Sequence, residues 1–222
     1  MAFENRAEAG RLLARRLSRY RGQHALVLAI PRGAVPMGKI VADALDGELD
    51  VVLVRKLRAP SNPELAIGSI DETGAVYLDP NTRDLWDKPY LEAEAQAQLA
   101  TLRQRRQQYE PLGAPVDAAG RIAIVLDDGI ATGSTMIAAL RAVRARHPAK
   151  LIAATGVASV HALGLMREEA DEVVCLETPV VLYAIGYHYG DFSQVTDEEV
   201  VATLREARRL RVATPAAGSE VR

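Results

Sequence analysis

The chain has one cysteine among 222 residues, so an internal disulfide is excluded and a reducing, cytoplasmic setting is expected. That residue, Cys175, sits in the apolar run EVVCL and reads as a small buried hydrophobe, not a nucleophile. Aromatics make up only 5% of the chain, so any local concentration of them carries information. Excess charge is also lacking: the net charge is −2 with a pI near 6.1, which speaks against a general nucleic-acid binder and requires any anion to be held by local devices. No apolar run approaches the roughly 18 residues of a membrane span, and no charged-then-apolar leader is seen. Neither G-x-G-x-x-G nor G-x-x-x-x-G-K-[ST] occurs, which disfavours dinucleotide-binding and P-loop readings.

What remains is an ordinary globular composition, 49% hydrophobic and 25% charged, with a rhythm of short apolar runs and amphipathic stretches. Residues 5–20 have helical periodicity with Leu12, Leu13, Leu17 and Tyr20 on one face, and Asn5 and Glu8 have capping-box spacing. ALVLAI at 25–30 predicts a strand buried on both faces, Pro36 starts a helix through Leu45, and DVVLV at 50–54 predicts a second strand. From 122 the pattern repeats as IAIVL, a helix near 135–146, LIAATGVAS, a helix near 160–170, and EVVCL. A final helix near 197–211 opens with Thr196 and Glu199 at capping-box spacing. Alternating strands and helices imply an α/β fold with a Rossmann-like parallel sheet covered on both faces.

Between 57 and 120 the rhythm breaks. AIGSIDETGAVYL alternates around a glycine turn as a hairpin does, and 84–109 is polar and helical, with RQRRQQ expected to be a solvated face. This stretch reads as an inserted flap within a single domain over 1–212, with 213–222 a disordered tail.

The densest signal is VLDDGIATGSTM at 125–136. In an open parallel sheet, ligands sit at the carboxyl ends of strands, where this run delivers Asp127 and Asp128. Gly129 and Gly133 allow a tight turn, Thr132, Ser134 and Thr135 supply hydroxyls, and a helix starting near Ser134 aims its free N–H groups into the loop. Such a seat suits a phosphate monoester. The carboxylates would repel phosphate but can accept hydrogen bonds from two neighbouring hydroxyls, so the pair of devices together suggests a ribose 5-phosphate.

This motif resembles the signature that binds phosphoribosyl pyrophosphate in type I phosphoribosyltransferases, and PRGAVPMG, VRKLRAP, PELAIGSI and DFSQVTDEEV extend the resemblance to bacterial members over about residues 3–205. The resemblance implies a transferase that joins ribose 5-phosphate to a small acceptor, expected to be a nucleobase, with release of pyrophosphate. Asp127 and Asp128 would hold the ribose hydroxyls, and Gly129 and Ala131 to Thr135 would wrap the phosphate. Arg32 and Gly33 would form a pyrophosphate turn that in the family often contains a cis or strained peptide. Arg55 and Lys56 would reach the pyrophosphate, and Arg58 falls where relatives carry another base. Mg²⁺ would ride on the substrate's oxygens, with no protein metal site. Relatives acting on 6-oxopurines usually carry aspartate at the position of Ala131; alanine resembles adenine-type members. Glu64 would be the acid/base on a closing loop. Tyr187, among Tyr183, His188, Tyr189 and Phe192, is the candidate to stack on a base. The resemblance leaves room for a homodimer and for the alternative of a non-catalytic sensor of the same ligand, with neither nucleic acid nor membrane as a partner.

Overall fold

The computed structural model describes residues 2–60, 62–78, 86–109 and 115–212, excluding the side chains of residues 63, 64, 66 and 210–212. The tail expected at 213–222 lies outside the described residues. Five parallel strands form the central sheet: β1 Leu26–Ala29, β2 Glu48–Val51, β6 Ile122–Ile130, β7 Lys150–Ala158 and β8 Glu172–Glu177, in the order β2-β1-β6-β7-β8. The continuous apolar runs have a physical reason: successive side chains point to opposite faces, and both faces are covered. Val27, Ala29, Ile124 and Leu126 enter one core with α1 (Arg6–Arg16), α2 (Ala34–Ala44) and α6 (Asp197–Val212). Leu26, Leu28, Ala123 and Val125 enter the other, with α4 (Ser134–Arg144) and α5 (Val160–Glu169).

The α/β expectation holds, and so does the hairpin. β3 (Val54–Ala59), β4 (Asn62–Asp71) and β5 (Val76–Leu78) form a separate antiparallel sheet, with Gly74 at φ +92° in the turn between β4 and β5. The sheet packs against α4, and α3 (Lys88–Gln108) lies against β3 and β4. The run DVVLV is not one strand. β2 ends at Val51, and Val54 already belongs to the second sheet. Val51, Val52 and Leu53 are all buried, so the apolar run continues across the boundary and hides it.

Local expectations are corrected in three places. RQRRQQ is not simply solvated: Arg106 is nearly buried and pairs with Asp50 at 3.2 Å through both terminal nitrogens, and Arg105 reaches Asp197 at 3.4 Å. The capping box at Thr196 and Glu199 closes reciprocally, at 2.7 and 3.2 Å. At Asn5 only half of it does, because Glu8 reaches back to the Glu4 N–H at 2.6 Å. Cys175 is half-buried because β8 is an edge strand, and burial still pushes its thiol up, away from a nucleophile's range. Among the described residues no helix is long and apolar enough to cross a membrane.

Candidate active site

β6 carries Asp127 and Asp128 within the strand, and it continues past them. Asp127 is in register with Thr155, Gly129 with Val157 and Ile130 with Ala158. Gly129 is therefore a strand residue and not part of the turn. Its role is clearance: a Cβ there would overlap Ile185, which opens a 3₁₀ turn, Ile185–His188. The turn itself begins at Ala131. Gly133 has φ +87°, a left-handed conformation that costs glycine little, and it caps α4 without any side-chain hydrogen bond. The first N–H groups of α4 thus have no side-chain cap and face the loop, with the positive end of the helix dipole behind them. Thr132 Oγ1 and Ser134 Oγ lie 3.1 Å apart beside them. Ser159, the N-cap of α5, donates to the Ala131 carbonyl at 2.7 Å and accepts from the Ala162 N–H at 3.0 Å, anchoring the loop to the next helix.

Each aspartate has one oxygen engaged by the protein. Asp127 Oδ1 accepts the Asp128 N–H at 2.9 Å, and Asp128 Oδ2 accepts Arg6 Nε at 2.8 Å. The opposite oxygens can accept hydrogen bonds from hydroxyls. Burial, and after it the neighbouring Asp128 charge, pushes the Asp127 carboxyl well above its ordinary range. Tyr189 donates to the Asp128 carbonyl at 2.6 Å, and burial pushes its phenol up, so it remains a donor. Arg6 was invisible to pattern reading because its partner lies 122 positions away. The one hint was a cation at the first position of a helix, where the dipole disfavours it.

The expected pyrophosphate turn lies beside this pair. The Pro31–Arg32 peptide is cis, and a Cβ on Gly33 would overlap Asp128 Oδ2. Arg32 faces Asp197 at 3.5 Å; the same carboxylate accepts from the Tyr109 hydroxyl at 3.0 Å. Arg55 and Lys56, expected together at the pyrophosphate, sit in β3 and line two different cavities. Arg55 lines a cavity of about 100 Å³ with Pro31, Arg105 and Thr135, and bonds Gln98 at 2.5 Å. Lys56 lines a larger cavity of about 250 Å³ with Ser69, Thr132, Ser134 and Arg141.

Arg58 is exposed and lines neither cavity; its backbone is held by Glu94 and Tyr90 of α3. Glu64 lies within strand β4 and not on a loop; its side chain is outside the described residues. Of the aromatics, Tyr189 and Phe192 are packing groups: Tyr189 stacks between Phe3 and Phe192 at 5.2 and 4.9 Å. Tyr187 is 73% exposed, two residues from Ile185. The whole arrangement can bind an anion at a helix terminus and a diol at two carboxylates, with cations lining the two cavities.

A family-wide sequence profile described as "Phosphoribosyl transferase domain" matches residues 3–190. Two Mycobacterium tuberculosis proteins, from strains CDC 1551 and H37Rv and each carrying the name "Putative phosphoribosyl transferase", are 40% identical over 209 residues, 93% of this chain and 47% of theirs. The chain thus spans about half the length of the curated relatives it matches. The crystal structure of TT1426 from Thermus thermophilus superposes with a TM-score of 0.87 at 43% identity, covering 93% of this chain and 99% of that one.

Proposed function

The chain belongs to the phosphoribosyl transferase domain family, and from that premise we propose that it binds phosphoribosyl pyrophosphate with Mg²⁺ and transfers the ribose 5-phosphate to a small acceptor, a nucleobase, releasing pyrophosphate. The observation that carries the reading is the junction of β6 and α4: two carboxylates with one oxygen each left for a diol, directly followed by a helix N-terminus capped only by Gly133.

The reaction displaces pyrophosphate from the anomeric carbon through an oxocarbenium-like transition state. The protein's part is to position, to stabilise charge and to exclude water. The N–H groups of α4, with Thr132 and Ser134, hold the 5-phosphate. Asp127 and Asp128 accept from the ribose hydroxyls and fix the ring. Arg55, with the turn at Pro31 to Gly33, faces the leaving group. Glu64 handles the acceptor's proton. Exposed Tyr187 offers its ring to the base.

Magnesium accompanies the substrate in this reading. Among the described residues no group of three or more His, Cys, Asp or Glu side chains is placed to hold a metal ion. The ion would ride on the substrate's own hydroxyl and phosphate oxygens, the hard donors that Mg²⁺ takes. Once bound, the ion would neutralise charge on the departing pyrophosphate.

The test is to supply phosphoribosyl pyrophosphate, Mg²⁺ and a panel of bases and follow pyrophosphate release. Base-dependent release is expected. Tight binding with no turnover on any base would replace the transferase by a sensor of the same ligand.

A further inference from the structure

Arg6 stands apart from every residue that the loop motif accounts for. It opens α1, more than a hundred positions from the aspartates, yet its Nε donates to Asp128 Oδ2 at 2.8 Å, with both side chains only 13% exposed. Its guanidinium stacks on Phe192 at 3.8 Å from the ring centroid, and Nη1 donates to the Ser193 carbonyl at 2.6 Å. A plane held on three sides has little rotational freedom, and that suits a group whose task is to aim another. Beside this same contact, the missing Cβ of Gly33 leaves Oδ2 and Arg6 Nε just enough room.

The surrounding chain reinforces this placement. Phe3 forms a parallel bridge with Tyr189, the Ala2 N–H donates to the His188 carbonyl at 3.0 Å, and the Gly190 N–H returns to the Phe3 carbonyl at 2.8 Å. The segment before α1 is thereby strapped to the segment that carries Tyr189, which itself holds the Asp128 backbone.

We infer that Arg6 is a positioning residue for the diol grip: it holds the Asp128 carboxylate rotated so that Oδ1 faces the ribose hydroxyls. The inference deepens the proposed function and rests on its reading of Asp127 and Asp128. Two adjacent carboxylates on one strand repel each other, and a hydroxyl donor needs them as acceptors. A guanidinium bound to one of them offsets that repulsion. A lysine could supply the charge but not the Nε geometry or the stacking plane. The titratable groups facing the pair are Asp127 on the same strand, Tyr189, and Asp191 in the segment beyond it.

Two measurements on Arg6→Gln and Arg6→Lys decide the matter. The first compares affinity for ribose 5-phosphate with affinity for inorganic phosphate, which needs only the loop. Arg6→Gln is expected to weaken ribose 5-phosphate roughly tenfold to a hundredfold, the range seen when the group orienting a ligand-holding side chain is lost. Inorganic phosphate should be held as before, and Arg6→Lys should recover part of the loss. Equal weakening of both ligands would mean a merely structural role, and no change in either would remove Arg6 from the site. The second locates the Asp128 carboxylate in a crystal structure of the ligand-free Arg6→Gln protein. The carboxylate is expected to turn out of the orientation in which Oδ2 meets Arg6 Nε beside Gly33. An unmoved carboxylate overturns the inference even if the wild-type protein proves to bind no ribose phosphate, an outcome that would count against the proposed function alone. If Arg6→Gln does not fold, Arg6→Lys carries both measurements, with a smaller effect in each; identity with wild type in both overturns the inference.

Discussion

The backbone of Gly33 lies against the carboxylate of Asp128 so closely that a Cβ on Gly33 would occupy the position of Asp128 Oδ2. The turn at Arg32 and Gly33 and the pair Asp127 and Asp128 are therefore in contact, and a shift in one is felt by the other. Gly33→Ala should displace Asp128 from Arg6 and weaken phosphoribosyl pyrophosphate by about tenfold or more, equivalent to about 1.4 kcal/mol. Calorimetric titration checks this, with circular dichroism to confirm the fold. Undiminished affinity would show that Asp128 does not need its present position.

Arg55 and Lys56 line different cavities and should separate by ligand. Lys56→Ala is expected to weaken ribose 5-phosphate several-fold and leave inorganic pyrophosphate little changed. Arg55→Ala should do the reverse. Both losses should shrink as salt rises, because the interactions are between charges. Competition binding with the two ligands gives the answer, and parallel losses in both variants would return the two residues to one subsite.

Glu64 lies within β4, so its movement over the site would require the hairpin to bend as a unit. With a proven acceptor, Glu64→Gln should lower kcat by roughly a hundredfold, the low end for loss of a general acid/base, with KM for phosphoribosyl pyrophosphate little altered. An unaltered kcat would strike Glu64 from the mechanism.

Stability should depend on pH through Glu72, in the turn after β4. Its side chain is 3% exposed, with Arg106 Nε at 3.4 Å. Burial, outweighing the pull of Arg106, raises its carboxyl from 4.5 to about 7. The folded chain keeps this proton in a range where the unfolded chain has released it. Stability attributable to Glu72 therefore falls as pH rises from about 4.5 to about 7 and is level above that. Glu72→Gln cannot titrate and should be more stable than wild type at pH 8 by on the order of 1–3 kcal/mol, with no such gain below pH 5. Urea melts at the two pH values measure the difference; an equal effect at both would contradict the burial account.

Features of this molecule were legible in sequence where their cause is local. Asp127 to Thr135 could be read because strand, aspartates, turn and helix start are consecutive, and the alternation 26–29 against 123–126 announced a sheet buried on both faces. Arg55 and Lys56 are consecutive too, but the two cavities that separate them form only where β3 meets α3 on one hand and β4, α4 and α5 on the other. Arg6 with Asp128, Arg106 with Asp50, and Arg32 and Arg105 with Asp197 were hidden for a different reason. Each joins residues brought together by the fold, and a lone arginine on a polar stretch has the same local pattern whether it is solvated or paired.

If the β6–α4 junction seats a ribose 5-phosphate through two separable devices, removing one must leave the other working. Calorimetric titration of phosphoribosyl pyrophosphate with Mg²⁺ into wild type and into the Asp127→Asn, Asp128→Asn double variant tests this, with inorganic phosphate as the second ligand. Phosphoribosyl pyrophosphate should bind wild type saturably and lose roughly tenfold or more in the variant, about 1.4 kcal/mol per factor of ten. Inorganic phosphate should bind the variant at least as well, since two repelling charges are gone. No binding to wild type, or equal affinity for phosphoribosyl pyrophosphate in the two proteins, would refute the two-device seat.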